Sequence, residues 1–262
     1  MSSELATLLG ISAAAAIASV AGGLVALWRR PTTFFMSCAL GFASGVLIGA
    51  IAFEMIPSAV DLGSVAIAAL GFGSGFAAVY GFDLFVHRGR LAGEAAEQRR
   101  KVRLFYRRRH PRAGDVTVLA GGTSAEEVIE GIAIGAGTIV EPSIGLLIGL
   151  AIAIDNFSEG LSIGELLRAN ATGRDKTPVT EILGWTSTIG IALLVSSLLG
   201  WLFLRGAPDG FVALLFASGA GGMFYLTVTD LLPQSEARQY QESSAIANGA
   251  GFLLILVISS QI

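Results

Sequence analysis

The sequence predicts an all-α polytopic membrane protein with eight transmembrane helices. Three observations favour this class: 53% of the 262 residues are hydrophobic, only 14% are charged, and the mean hydropathy is +0.70. Soluble globular proteins rarely have such a composition. Basic residues also concentrate between the apolar segments, whereas several acids lie inside them. We therefore expect residues 1–262 to form a single transmembrane domain.

Eight apolar windows have the length of roughly 20 residues that a helix needs to cross about 30 Å of hydrocarbon. The first window has no basic residues before it, so we interpret it as a span rather than a secretory signal. The fourth is interrupted at residues 121–124 by glycine, threonine and serine. The windows are 5–28, 33–56, 65–86, 116–138, 143–167, 180–204, 210–232 and 243–262.

Basic residues predict how the chain is oriented. They follow spans one, three, five and seven, whereas the other connections contain only Arg205. By the positive-inside rule, both termini lie outside a cytoplasmic or plasma membrane. The basic connection at residues 87–115 is interpreted as a cytoplasmic anchor rather than a headgroup-binding segment. It has no aromatic platform, so we expect no nucleic-acid partner.

Two acidic clusters of the same pattern lie in spans four and five. Residues three and four apart share a helix face, so the members of each cluster converge. The span interiors contain no lysine or arginine, and each charge at the bilayer centre costs about 2.5–3.5 kcal/mol. A divalent cation, replaced by protons when it leaves, best explains the clusters. Their members are Glu126, Glu127 and Glu130, and Asp155, Asn156 and Glu159.

Structural interpretations account for only part of these clusters. Ser124 and Glu127 have the spacing of a capping box, which would place a helix start within the membrane. A capping box explains neither Glu130 nor the acids of the second cluster. The glycines after each cluster are interpreted as helix-packing positions, and such small-residue faces also permit a homodimer.

A second pair of similar segments lies in spans two and seven. Each contains a glycine, an acid and a proline in register, with Glu54 before Pro57 and Asp230 before Pro233. Because paired spans of opposite direction are typical of inverted repeats, we expect a 3+2+3 arrangement with the binding site at the repeat interface. Glu54, Asp83 and Asp230 are candidate pathway residues, and solvation of acids at helix ends remains the alternative.

These segments resemble the ZIP family of metal transporters (Zrt- and Irt-like proteins). Bacterial members carry His-Asn-x-Pro-Glu-Gly on helices four and five, where this chain has Glu126-Glu-Val-Ile-Glu-Gly and Asp155-Asn-Phe-Ser-Glu-Gly. Residues 41–57 and 216–233 resemble the second and seventh helices of the family. The resemblance covers nearly the whole chain, including the eight spans and the long loop after the third.

The resemblance implies transport of a divalent metal through a two-metal site. In that site, Glu130 and Glu159 would bridge both metals. One centre would be completed by Glu126 and Asp155, and the other by Glu127 and Asn156. Ser187 aligns where the sixth helix of the family often contributes a glutamate, so we include it as a candidate pathway residue.

The ligand positions also depart from the family pattern. Acids replace both histidines, at Glu126 and Asp155, and Ile129 and Ser158 replace both prolines. Oxygen ligands suit harder ions such as manganese, ferrous iron, calcium or magnesium, although zinc also binds carboxylates. A bend in the fifth span would then require the Ser158 hydroxyl to bond back to a carbonyl group. We expect the metal to be the transported substrate, with no organic cofactor.

Three functions are compatible with these residues. The first is a divalent metal transporter for zinc, manganese, iron or a similar ion, working by alternating access. The second is a proton or monovalent-cation pathway on the same scaffold. The third, an intramembrane metalloenzyme, is disfavoured because the sequence has no His-Glu-x-x-His motif.

Overall fold

The computed structural model describes residues 2–86, 113–170, 179–236 and 240–261, and every regular element within them is helical. This confirms the all-α class. Seven of the eight long helices are apolar enough and long enough to cross a membrane, so this is a multi-pass membrane protein. The helices are α1 (Ser2–Trp28), α2 (Thr33–Leu62), α3 (Val65–Val86), α4 (Ala113–Val140), α5 (Pro142–Asn170), α6 (Val179–Leu204), α7 (Asp209–Glu236) and α8 (Gln241–Ser259).

Helix α4 begins earlier than the hydropathy of the sequence predicts. Its 28 residues run from Ala113 to Val140 without a break at residues 121–124. The capping-box interpretation is therefore wrong, because Ser124 lies well inside the helix rather than at its start. The predicted connection 87–115 also ends too late, since its last three residues belong to α4. Residues 87–112, with most of the predicted basic anchor, lie outside the described residues.

Helices α2 and α7 each change to π-helical geometry before a proline. Proline has no N–H group, and its ring would clash with the carbonyl group four residues earlier. The wider π turn contains that carbonyl in both helices, at Phe53 before Pro57 and at Thr229 before Pro233. The π segments are Ile51–Met55 and Thr227–Leu231, and they contain Glu54 and Asp230.

The helices pack as two groups of four. In one group, α1 lies against α5 and α6, while α4 lies against α5 and α6. In the other, α2 packs on α8 and α3 packs on α7, and the π segments of α2 and α7 each contact the α-helical part of the other helix. The groups contact each other mainly where α2 meets α5 and α4 meets α7. The two acidic clusters therefore lie in one four-helix group.

Glycines bring the helices of this group close together. A Cβ atom on Gly131 of α4 would lie 2.6 Å from the Leu193 carbonyl oxygen of α6. The same atom on Gly160 of α5 would overlap the Ser19 carbonyl oxygen of α1. The predicted packing role of the glycines after each cluster is confirmed, and this close approach determines where the adjacent acids lie.

Candidate cation site between helices α4 and α5

The two clusters occupy facing segments of α4 and α5. The antiparallel pair is joined by a short turn at Glu141, so residues in the middle of α4 lie beside residues in the middle of α5. Glu126 and Glu159 are partly exposed. The other four side chains are buried, with exposed fractions of 0% for Glu127, 2% for Glu130, 1% for Asp155 and 0% for Asn156.

The amide group of Asn156 links the clusters to each other. Its Nδ2 atom donates to Glu127 Oε2 at 3.2 Å and also approaches the Ala15 carbonyl oxygen of α1 at 3.4 Å. On the other side, Ser196 of α6 donates its hydroxyl group to the Glu127 carbonyl oxygen at 3.0 Å. Helices α1 and α6 therefore both contact the pair that Glu127 of α4 and Asn156 of α5 form.

The charges within this site all have the same sign. In the described part of the chain, Glu126 interacts electrostatically with Asp155, Asp230 and Glu127, and Glu159 interacts with four carboxylates of the two clusters. Like charges close together in a medium of low polarity repel strongly. A bound cation or bound protons must therefore balance these groups when the site is folded.

Four buried oxygen atoms of the site have no hydrogen-bond partner among the residues that the structure describes. They are Oε1 of Glu127, both carboxylate oxygens of Asp155 and Oδ1 of Asn156. An unsatisfied buried polar group costs about 1–3 kcal/mol, and more when it is charged. Carboxylate and amide oxygens are ligands for hard divalent cations. The arrangement can therefore offer several oxygen ligands to a cation between α4 and α5.

The site is not arranged as a closed coordination sphere. Among the described residues, no group of three His, Cys, Asp or Glu side chains has the geometry to hold a metal ion. The carboxylates are neighbours on two helices, but their oxygen atoms do not converge on one point. Binding would require side-chain rotation, which the partly exposed Glu126 and Glu159 have room to make.

The four candidate pathway residues lie in different surroundings. Glu54 is only 6% exposed, which argues against solvation at a helix end. Asp83 accepts a hydrogen bond of 2.7 Å from the Tyr225 hydroxyl group of α7. Asp230 interacts electrostatically with Glu126. Ser187 is partly exposed on α6, and no described contact joins it to the clusters.

The sequence analysis predicted one of four hydrogen-bond contacts described here and missed the other three. The sequence analysis missed Ser196 and Tyr225 as hydrogen-bond donors and Ala15 as an acceptor, because each belongs to a different helix from its partner. A polar pair within the apolar span, Ser196 and Ser197, was a usable signal. The expected back-bond of Ser158 is present, with its hydroxyl group donating to the Ile154 carbonyl oxygen at 3.1 Å.

Comparison with known proteins identifies the family. No protein-family model matches the chain. The zinc transporter ZupT of Corynebacterium glutamicum is 31% identical over 236 residues, which cover 86% of this chain and 87% of that protein. The zinc transporter ZupT of Salmonella heidelberg is 29% identical over 218 residues, covering 79% and 77% of the two chains. The chain therefore belongs to the ZIP family of metal transporters, and it is a transport protein rather than an enzyme.

Proposed function

We propose that this protein moves a divalent metal cation across the membrane through a two-metal site on α4 and α5. The observation that carries the proposal is the set of four unpartnered oxygen atoms on Glu127, Asp155 and Asn156. They lie among like charges inside a membrane domain, where an uncompensated carboxylate is costly. A divalent cation would both neutralise the carboxylates and satisfy these oxygen atoms.

The two centres would divide the ligands as the family pattern implies. The hydrogen bond between Glu127 and Asn156 supports their assignment to one centre, because it places both side chains together. Asp155 would serve the other centre with Glu126, and the two are electrostatic neighbours. Glu130 and Glu159 lie one helical turn further along α4 and α5, where they would bridge the metals.

The ion is proposed to be zinc, manganese or ferrous iron. Both relatives described above are named zinc transporters. The ligand set of this chain contains only oxygen donors, whereas imidazole nitrogen favours zinc. Replacement of both family histidines by Glu126 and Asp155 would therefore widen the range of transported ions towards harder cations.

We also propose the 3+2+3 inverted repeat, with both termini outside the cytoplasm. Support comes from contacts that recur at a constant separation along the chain. A side chain on Gly45 would overlap the Asn248 carbonyl oxygen, and one on Gly221 would overlap that of Phe72. The two contacts are related by an offset of about 176 residues, which would pair spans two and three with spans seven and eight in an inverted repeat.

The packing suggests which parts would move during alternating access. A repeat that rocked against its partner would have to separate α2 from α8 and α3 from α7, which are closely packed pairs. Movement of the four-helix group that contains the site against the group α2, α3, α7 and α8 would keep those pairs intact. We therefore propose motion between the two groups, with α2 and α7 flanking the pathway.

Uptake into proteoliposomes tests the transport function. Purified protein should take up at least one of zinc, manganese and iron, and the double variant Glu130→Ala/Glu159→Ala should lose that uptake. The matched control is Glu141→Gln, because Glu141 is exposed at the turn between the same two helices. Wild-type vesicles that carry protons or monovalent ions but no divalent metal would refute the proposal and favour the proton or monovalent-cation pathway.

A further inference from the structure

An apolar groove lies between α2, α5 and α8, and none of the candidate cation ligands lines it. Its volume is about 590 Å³, within the range of about 300–1,000 Å³ that is usual for ligand pockets. Aromatic and alanine side chains form most of its wall. They include Phe42 and Ala39 of α2, Phe157 and Ala153 of α5, and Ala250 of α8.

The groove is suited to hydrocarbon. The one serine in its wall, Ser158, already donates its hydroxyl group to the Ile154 carbonyl oxygen. Helix α8 is among the least buried spans, with 17% of its most apolar window buried, so the groove opens towards the bilayer. Because an acyl chain needs no hydrogen-bond partner, it can fill this space without leaving a polar group unsatisfied.

One end of the groove is close in sequence to a pair of arginines. Phe35 lines this end and belongs to the first turn of α2, whose cap is Thr32. Arg29 and Arg30 are exposed in the short connection just before that cap. The adjacent Trp28 is 89% exposed, as expected for an aromatic residue at a membrane interface.

We propose that the groove binds one anionic phospholipid, with an acyl chain between α2, α5 and α8 and the phosphate on Arg29 and Arg30. Charge complementarity selects this occupant, since a phosphate group pairs with guanidinium groups at the level of the headgroups. An uncharged lipid could fill the groove but would place no negative charge on Arg29 and Arg30. A second copy of the protein would have to fill the groove with one of its own side chains.

The bound chain would reach the helix that carries the site. From Phe35 to Phe42 the groove follows α2 for about 10 Å at the helical rise. Its inner wall includes Phe157 and Ser158, the residues directly before Glu159. This proposal does not depend on the transported ion, because no ligand of the cation site faces the lipid in it.

The cysteine in the groove provides a direct test. Cys38 is the sole cysteine of the chain and lines the groove, so its rate of reaction with N-phenylmaleimide reports whether the groove is filled. In delipidated protein, phosphatidylglycerol should slow the reaction at concentrations where phosphatidylcholine does not. The double variant Arg29→Ala/Arg30→Ala should need about 25-fold more phosphatidylglycerol, at about fivefold for each arginine.

Two comparisons separate charge from position. Arg29→Lys/Arg30→Lys should retain the preference for phosphatidylglycerol, because it keeps both charges. Arg205→Ala should leave it unchanged, since Arg205 is exposed in a different connection, after α6, and lies over the Trp201 ring. Equal protection of Cys38 by the two lipids, or equal effects of the Arg29/Arg30 and Arg205 substitutions, would overturn the proposal.

Blocking the groove gives an independent measurement. Native mass spectrometry should detect one retained phosphatidylglycerol per wild-type chain and none in Ala39→Phe. Ala250→Phe closes the same groove from α8 and guards against misfolding of the first variant, with thermal unfolding as the check on both. Retention by two well-folded blocked variants would refute the site. Protection of Cys38 that rises with protein concentration in the absence of lipid would instead show that a second copy fills the groove.

Discussion

Substitution of Gly131 by alanine tests whether close packing of α4 on α6 positions the site. The added Cβ atom would lie 2.6 Å from the Leu193 carbonyl oxygen and 2.8 Å from the Ser197 backbone nitrogen, whereas Cβ contacts in proteins are essentially never under 3.0 Å. It would also overlap the Ser196 hydroxyl oxygen, which donates to the Glu127 carbonyl group. Both backbone neighbours belong to a helix, so the two helices must separate.

The expected cost combines two effects. Overpacking of this kind costs about 1–3 kcal/mol, and loss of the Ser196 hydrogen bond costs about 1 kcal/mol more. A total of about 2–4 kcal/mol would lower the unfolding temperature by roughly 4–16 °C for a chain of this size. Thermal unfolding of detergent-solubilised protein measures the shift. The stabilisation of the protein by added divalent metal should weaken as well, because Glu130 and Glu127 move with α4.

The matched control is Gly184→Ala on α6. A Cβ atom on Gly184 would meet nothing within 4 Å, so this variant changes helix propensity without changing packing. Alanine is favoured over glycine by about 1 kcal/mol in a helix, and the unfolding temperature should stay the same or rise slightly. If Gly131→Ala unfolds at the same temperature as Gly184→Ala, the close approach of α4 and α6 does not contribute to stability and our reasoning is wrong.

Three further changes test the site and its surroundings. Asp155→His restores an imidazole ligand and should raise the affinity for zinc relative to manganese. Metal-dependent thermal stabilisation measures both affinities, and an unchanged ratio would contradict the role of Asp155 as a ligand. Tyr225→Phe removes the hydrogen bond to Asp83 and should destabilise the protein by about 1–3 kcal/mol in denaturant unfolding, whereas no loss would show that the bond adds nothing. Arg168→Met removes two hydrogen bonds, of 2.5 and 2.7 Å, to the last carbonyl groups of α1, and the unfolding temperature should fall by several degrees, with partial rescue in Arg168→Lys.

Much of the architecture follows from local properties of the sequence. Apolar length predicted the long helices to within a few residues at most ends, because a helix that crosses hydrocarbon must satisfy its backbone groups internally. Acids without basic neighbours in the apolar segments predicted the site region. The back-bond of Ser158 was also predictable, since a serine hydroxyl group in a helix has its acceptor four residues earlier.

Features that depend on two distant segments were not predictable in this way. The π segments that contain Glu54 and Asp230 lie in α2 and α7, two proline-containing helices that contact each other. A proline in the sequence predicts only a kink or a break in its helix. The start of α4 at Ala113 was missed because Gly114 and Asp115 are not apolar and come just after the basic residues of the connection. The groove beside Cys38 exists only because three helices leave a space between them.

The sequence by itself determined that this is a helical membrane protein of the ZIP family with acidic clusters at residues 126–130 and 155–159. Hydropathy, charge and motif spacing are properties of the order of residues, so they need no coordinates. Tertiary structure alone decided that Glu127 pairs with Asn156 and that both Asp155 oxygens lack a hydrogen-bond partner among the described residues. Hydrogen bonds between helices depend on their rotation and separation, and close packing at Gly131 and Gly160 determines both.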